Sequence, residues 1–145
     1  MKKAKMLLIL ALTAVLLTAG CRAEKSDDYS ETEDKQEVRY VQISQEEAKN
    51  IMDSGEDIVI LDVREQDEYD KGHIPGAILL PYTRVEEQAE AMLPDKDKTI
   101  LVYCRTGRRS KIAAQSLADL GYKDVREFGG ILDWPYEVTD EAPQQ

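Results

Sequence analysis

Cysteine, histidine and positive charge are all scarce in this chain, and each scarcity removes a class of function. Among 145 residues there are two cysteines and one histidine, and 29 acidic side chains against 19 lysines and arginines leave a formal net charge of -10. So acidic a surface repels a phosphate backbone, which argues against a nucleic-acid partner. The cysteines are Cys21, which closes an N-terminal apolar run, and Cys104, deep in the chain. If processing consumes the first, the domain has neither a disulfide framework nor a zinc site built on several cysteines. Nothing in the sequence calls for a metal or an organic cofactor. What remains is one unpaired thiol, either inert in a core or reactive.

Residues 1–20 carry Lys2, Lys3 and Lys5 ahead of "MLLILALTAVLLTAG", with no acidic residue before Glu24. That is the charged-then-apolar profile of an export signal. The run is short for a permanent span, which needs about 20 apolar residues. Small residues precede Cys21 in "LTAGC", an ending that resembles a bacterial lipoprotein signal. The resemblance implies lipidation of Cys21 and a tether to the outer face of a bacterial membrane, at the cell surface or in the periplasm. An uncleaved anchor and an ordinary signal cut nearby are the other two readings, and all three place the domain outside the cytoplasm. Residues 21–39 are acidic and nearly free of aliphatic side chains; they cannot bury enough apolar surface to offset ordering, so a flexible tether is expected. The folded domain is expected over residues 40–140, about 100 residues, with a short tail at 141–145.

Inside that domain, short apolar runs alternate with helical patterns. "YVQI", "DIVILDV", "AILL", "TILVY" and "DVREF" read as strands. Several lack polar alternation, as strands covered on both faces do. Between them, "QEEAKNIM" reads as a helix capped by Ser44 with Glu47 completing a capping box. "TRVEEQAEAML" is a second helix, and "SKIAAQSLADL" a third that ends at Gly121. This alternation predicts an α/β domain, a mostly parallel central sheet with helices on both faces. Binding sites in such sheets lie at the carboxyl ends of strands. Cys104 stands at such an end, immediately before a helix.

The stretch "VYCRTGRRS" places Cys104, Arg105, Gly107, Arg108 and Arg109 together in an otherwise acidic chain. A thiolate is favoured near a helix N-terminus or beside cations. With Arg109 or Ser110 opening the helix, unpaired N–H groups face the loop, and Gly107 lets them converge on one anion.

Three stretches in order, "LDVREQDEYDKGHIPGAILLP", "VYCRTGRRS" and "GYKDVREFGGILDWP", resemble a single-domain rhodanese over about residues 41–138. The resemblance implies a rhodanese-like fold and a sulfurtransferase. Cys104 would take sulfane sulfur from a small anionic donor such as thiosulfate, carry it as a persulfide, and pass it to cyanide, a thiol or a partner protein. Carried over by position, Arg105, Thr106, Gly107, Arg108 and Arg109 form the loop that cradles sulfur and donor. Asp62 and Arg64, at a neighbouring strand end, are candidates for a supporting role, with a structural ion pair the alternative. His73, in "GHIPGA", resembles a turn-shaping position rather than a base for Cys104. Gly129 and Gly130 allow close backbone approach beside the loop, and Trp134 belongs to the core.

Two other functions compete. Cysteine phosphatases and arsenate reductases need an arginine six positions after the cysteine to grip an oxyanion. That position is Ser110, so the loop is one residue short. A membrane-tethered persulfide carrier or sensor with little turnover of its own has the same loop and fold, because the difference lies in which acceptor docks.

Overall fold

The computed structural model describes residues 39–141; the expected signal, Cys21 and the tether to residue 38 lie outside the described residues, as does the tail from residue 142. Five strands form one sheet: β1 (Val41–Gln42), β2 (Val59–Asp62), β3 (Ile78–Leu79), β4 (Thr99–Cys104) and β5 (Asp124–Gly130). Their order is β1-β5-β4-β2-β3, and every pairing is parallel. Among the described residues four α-helices accompany them: α1 (Gln45–Asp53), α2 (Gln66–Tyr69), α3 (Val85–Met92) and α4 (Arg108–Asp119).

The strand at the centre explains the architecture. Ile100 to Cys104 of β4 are all buried, because helices cover both faces of the sheet. On one face, Val85 and Ala89 of α3 and Ala113, Ala114 and Leu117 of α4 pack on Val102 and Cys104. On the other, Ala48 of α1 and Tyr69 of α2 pack with Leu101, Tyr103 and Phe128. The pleat therefore sends Tyr103 and Cys104 to opposite faces, with Cys104 on the α3–α4 side.

Local chemistry sets the boundaries. Ser44 Oγ accepts the Glu47 N–H at 3.1 Å to start α1. α4 begins at Arg108, earlier than the Arg109 or Ser110 read from sequence. Gly107, at φ 93°, turns the chain into the helix through a conformation that side chains disfavour. α4 ends before Gly121, where the Tyr122 N–H returns to the Leu117 carbonyl at 3.1 Å. α3 is shorter than its sequence pattern because Tyr82–Arg84 form a separate 3-10 turn. α2 gives no periodic signal at all, being four residues long; it is fixed by the buried Tyr69, whose hydroxyl donates to the Ala77 carbonyl at 2.6 Å.

Candidate active site

Cys104 ends the most buried strand, and the chain turns over it in three residues before entering α4. The Gly107 N–H donates to Cys104 Sγ at 3.1 Å. Burial works to raise the thiol, but the Ser110 hydroxyl and the backbone N–H groups of Ser110, Thr106 and Gly107 outweigh it and hold the thiol below its ordinary value. The helix N-terminus thus acts as the sequence suggested. Arg109 faces the sulfur through charge as well; its guanidinium is raised by Glu68 first and by the thiolate of Cys104 in turn.

The arginines divide into two kinds. Arg109 is half-buried and bound by two parallel hydrogen bonds to Glu68 of α2, at 2.6 and 2.7 Å. The guanidinium is the leading cause that brings the Glu68 carboxyl down to about 2. Arg105 and Arg108 are exposed. Together with Lys111 they are the only lysines or arginines among the described residues without an ion pair. Lys111 lines a separate groove beside Glu86, which leaves Arg105 and Arg108 as the free cations above Cys104.

An open depression of about 560 Å³ lies over the loop, lined by Glu65, Tyr82, Arg105, Thr106, Arg108, Arg109 and Leu132. Sequence reading missed Glu65, Tyr82 and Leu132, as it missed Glu68. Each of the three follows closely on the carboxyl end of β2, β3 or β5, so the strand-end rule applied to every strand finds them.

The loop rests directly on β5. A Cβ on Gly130 would lie 2.6 Å from Thr106 Cα and closer still to the Arg105 carbonyl oxygen, so only glycine fits. That carbonyl accepts the Leu132 N–H at 3.2 Å. Register between β4 and β5 is broken here: Val102 stands opposite Glu127, but Cys104 stands opposite Gly130. Such irregular steps re-aim side chains at the ends of strands.

Asp62 and Arg64 are buried, and Arg64 binds both Asp62 carboxylate oxygens and the Gly72 carbonyl, the last at 2.8 Å. Asp62 stands opposite Tyr103 in the sheet, on the face away from Cys104. Among the described residues, no hydrogen bond of this pair reaches the Cys104 loop. His73 is buried and stacked on Tyr69 at 3.7 Å between ring centroids, with Nδ1 3.0 Å from the Tyr69 carbonyl; the structure does not bring it to Cys104. Trp134 packs in the core against Phe128. At the position where a phosphatase loop needs arginine, Ser110 is buried and donates to the Glu127 carboxylate at 2.6 Å.

Residues 44–136 match the rhodanese-like domain family. Over 107 residues the chain is 42% identical to the thiosulfate sulfurtransferase GlpE of Coxiella burnetii, covering 72% of this chain and 97% of that protein. It is 40% identical over 94 residues to YrkF of Bacillus subtilis, whose name describes a sulfur carrier; the match covers 64% of this chain and spans 50% of that relative's length. Among solved structures, a rhodanese-related protein from Thermoplasma volcanium matches with a TM-score of 0.62 at 30% identity, over 70% of this chain and 100% of that one. With the parallel sheet, the strand-end cysteine and the short N–H-lined loop, these matches show that the chain belongs to the rhodanese-like family of sulfurtransferase domains.

Proposed function

We infer that the domain moves sulfane sulfur through a persulfide on Cys104, in the manner of a thiosulfate sulfurtransferase. The observation that carries this reading is a single buried sulfur held by converging loop N–H groups beneath two free arginines. The Cys104 thiolate attacks the outer sulfur of a donor such as thiosulfate. A bond forms between Sγ and that sulfur, the donor's own sulfur–sulfur bond breaks, and its electron pair leaves with sulfite. Arg105 and Arg108 draw the dianion toward an otherwise acidic molecule. Cyanide or a thiol then removes the outer sulfur and returns Cys104 as a thiolate. One cysteine suffices for both halves.

Thiosulfate and cyanide supplied to the protein yield thiocyanate with ping-pong kinetics in this reading, and Cys104→Ala abolishes it. Turnover by the alanine variant would refute the mechanism. Stoichiometric loading of Cys104 by thiosulfate, without turnover to cyanide, would favour a carrier, the role described by the name of the Bacillus relative.

The cellular setting in this reading is the outer face of a bacterial membrane, with Cys21 lipidated. Its support is the profile of residues 1–21, lysines then an apolar run closing on small residues and cysteine. The natural acceptor is then a thiol presented at that face, on a small molecule or a partner protein.

A further inference from the structure

Glu127 lies beneath the same loop and has no place in the mechanism so far. It is 2% exposed, and it forms no ion pair among the described residues. Its Oε1 accepts two hydrogen bonds, from Ser110 Oγ at 2.6 Å and from the Gly129 N–H at 2.9 Å. A Cβ on Gly107 would come within 3.8 Å of the same oxygen. A buried carboxylate without a cation is costly, and this one is placed against the wall of the sulfur cradle.

Ser110 has one hydroxyl proton and too many acceptors. Its Oγ lies 2.6 Å from Glu127 Oε1, 3.0 Å from the Gly107 carbonyl and 3.4 Å from the Gly129 carbonyl. Among the described residues this hydroxyl makes no hydrogen bond to Cys104, whose sulfur is held by the Gly107 N–H at 3.1 Å, yet it stands ahead of every backbone group in lowering the thiol. One proton cannot serve the carboxylate and the sulfur together.

We propose that Glu127 positions Ser110 as a movable donor, whose O–H rests on Glu127 while Cys104 Sγ is uncharged and turns to Sγ when that atom becomes the leaving thiolate. The proposal rests on the sulfurtransferase reading of Cys104. In the second half-reaction an acceptor thiolate attacks the outer sulfur of the persulfide. A new sulfur–sulfur bond forms, the bond to Sγ breaks, and its electron pair stays on Sγ; the outer sulfur leaves with the proton it took from water after sulfite departed. The Ser110 O–H then swings from Glu127 to the new thiolate, no proton changes owner, and Glu127 keeps the Gly129 N–H. Donors aimed at the atom where charge develops favour that step.

Opposite effects follow from two substitutions. Glu127→Gln keeps an acceptor for the Gly129 N–H but removes the charge that competes for the Ser110 proton, so Cys104 ionises more readily. Ser110→Ala removes the donor, so Cys104 ionises less readily. The other charged groups facing this pocket stay in place: Arg105, Arg108 and Arg109 from the loop and α4, Glu65 at the start of α2, and Glu68 within it; Lys111 faces the separate groove beside Glu86. Arg126, next along β5, is already bound to Asp124. Asp62, Arg64 and Tyr103 lie on the far face.

The readout is alkylation of Cys104 by iodoacetamide in the full-length chain across a pH series, quantified on the Cys104 peptide by mass spectrometry. On the acid side of the transition, Glu127→Gln is expected to react about threefold faster than the parent and Ser110→Ala about threefold slower, with midpoints moved down and up in pH respectively. A purely structural role gives weaker folding but no opposed midpoints. Each variant carries its own sign, so either one alone overturns the proposal if its midpoint stays or moves the other way. Alkylation needs no sulfur donor. A Cys104 that takes no sulfur from thiosulfate would therefore refute the sulfurtransferase reading without touching this result.

Discussion

Arg109 and Glu68 meet beside the mouth of the site in a two-bond ion pair, with guanidinium nitrogens 2.6 and 2.7 Å from the two carboxylate oxygens. The pair joins α4 to the single turn of α2, adding a charged tie alongside the buried Tyr69, which fixes that turn from the other side. Arg109 holds the Glu68 carboxyl at about 2 against an ordinary 4.5. A carboxyl lowered by folding contributes stability above its unfolded value and loses it as pH falls through the folded one. The pair is partly exposed, which limits it to about 1 kcal/mol. Glu68→Gln is therefore expected to lower Tm at neutral pH by a few degrees, about 4–8 °C per kcal/mol in a domain of this size. The gap between variant and parent closes as pH falls from 4.5 to about 2. Thermal melts over that range test it, and a gap that survives at the acid end would mean the pair is not its source.

Because Arg109 is already neutralised, recruitment of the donor falls to the free cations. Arg105→Gln and Arg108→Gln are each expected to raise KM for thiosulfate about three- to tenfold at low salt, with kcat less affected. The difference shrinks as added salt shortens the screening length. Arg109→Gln is expected to cost more in stability than in KM. Steady-state kinetics at two ionic strengths decide the matter; a KM effect confined to Arg109 would show that its pair with Glu68 opens for substrate.

Much of this division was beyond reach of the sequence. The unbroken apolar runs around Leu61 and Val102 made a covered parallel sheet legible, since nothing else hides both faces of a strand. Cys104 was legible because a strand end, a glycine and a helix start stand together. The partnering of the arginines was not, because Glu68 sits 41 positions before Arg109 in a helix too short to show a period. Glu127 was hidden for another reason: in "DVREF" it looks like the polar residue of an alternating strand, and only the α4 packing turns it inward toward Ser110. Asp62 and Arg64 had the opposite fate. Their place at a strand end left a shared crevice with Cys104 and a structural ion pair as two readings; the pleat puts Asp62 on the face of Tyr103, where it pairs with Arg64.

The tether makes a separate prediction. If Cys21 carries lipid, Cys21→Ser leaves the precursor uncleaved or releases the protein from membranes, whereas the catalytic domain keeps its activity because Cys104 is untouched. Fractionation and detergent phase partitioning read this directly. Unchanged processing and membrane attachment in the serine variant would point to an anchor other than lipid on Cys21.

Gly130 offers the sharpest test of how the cradle is built. Its missing side chain faces the Arg105 carbonyl and Thr106 Cα, both backbone, so Gly130→Ala cannot be relieved by rotating a neighbouring side chain. The loop has to lift, which costs about 1–3 kcal/mol as overpacking does. Lifting it also draws the Thr106 and Gly107 N–H groups away from Cys104, and misplacing such donors is expected to lower thiocyanate formation at least tenfold. The thiol itself stays in β4, fixed by the sheet. Cys104 in Gly130→Ala should therefore still be alkylated while sulfur transfer collapses, and full transfer activity in a folded variant would mean that the backbone cradle does not carry the chemistry.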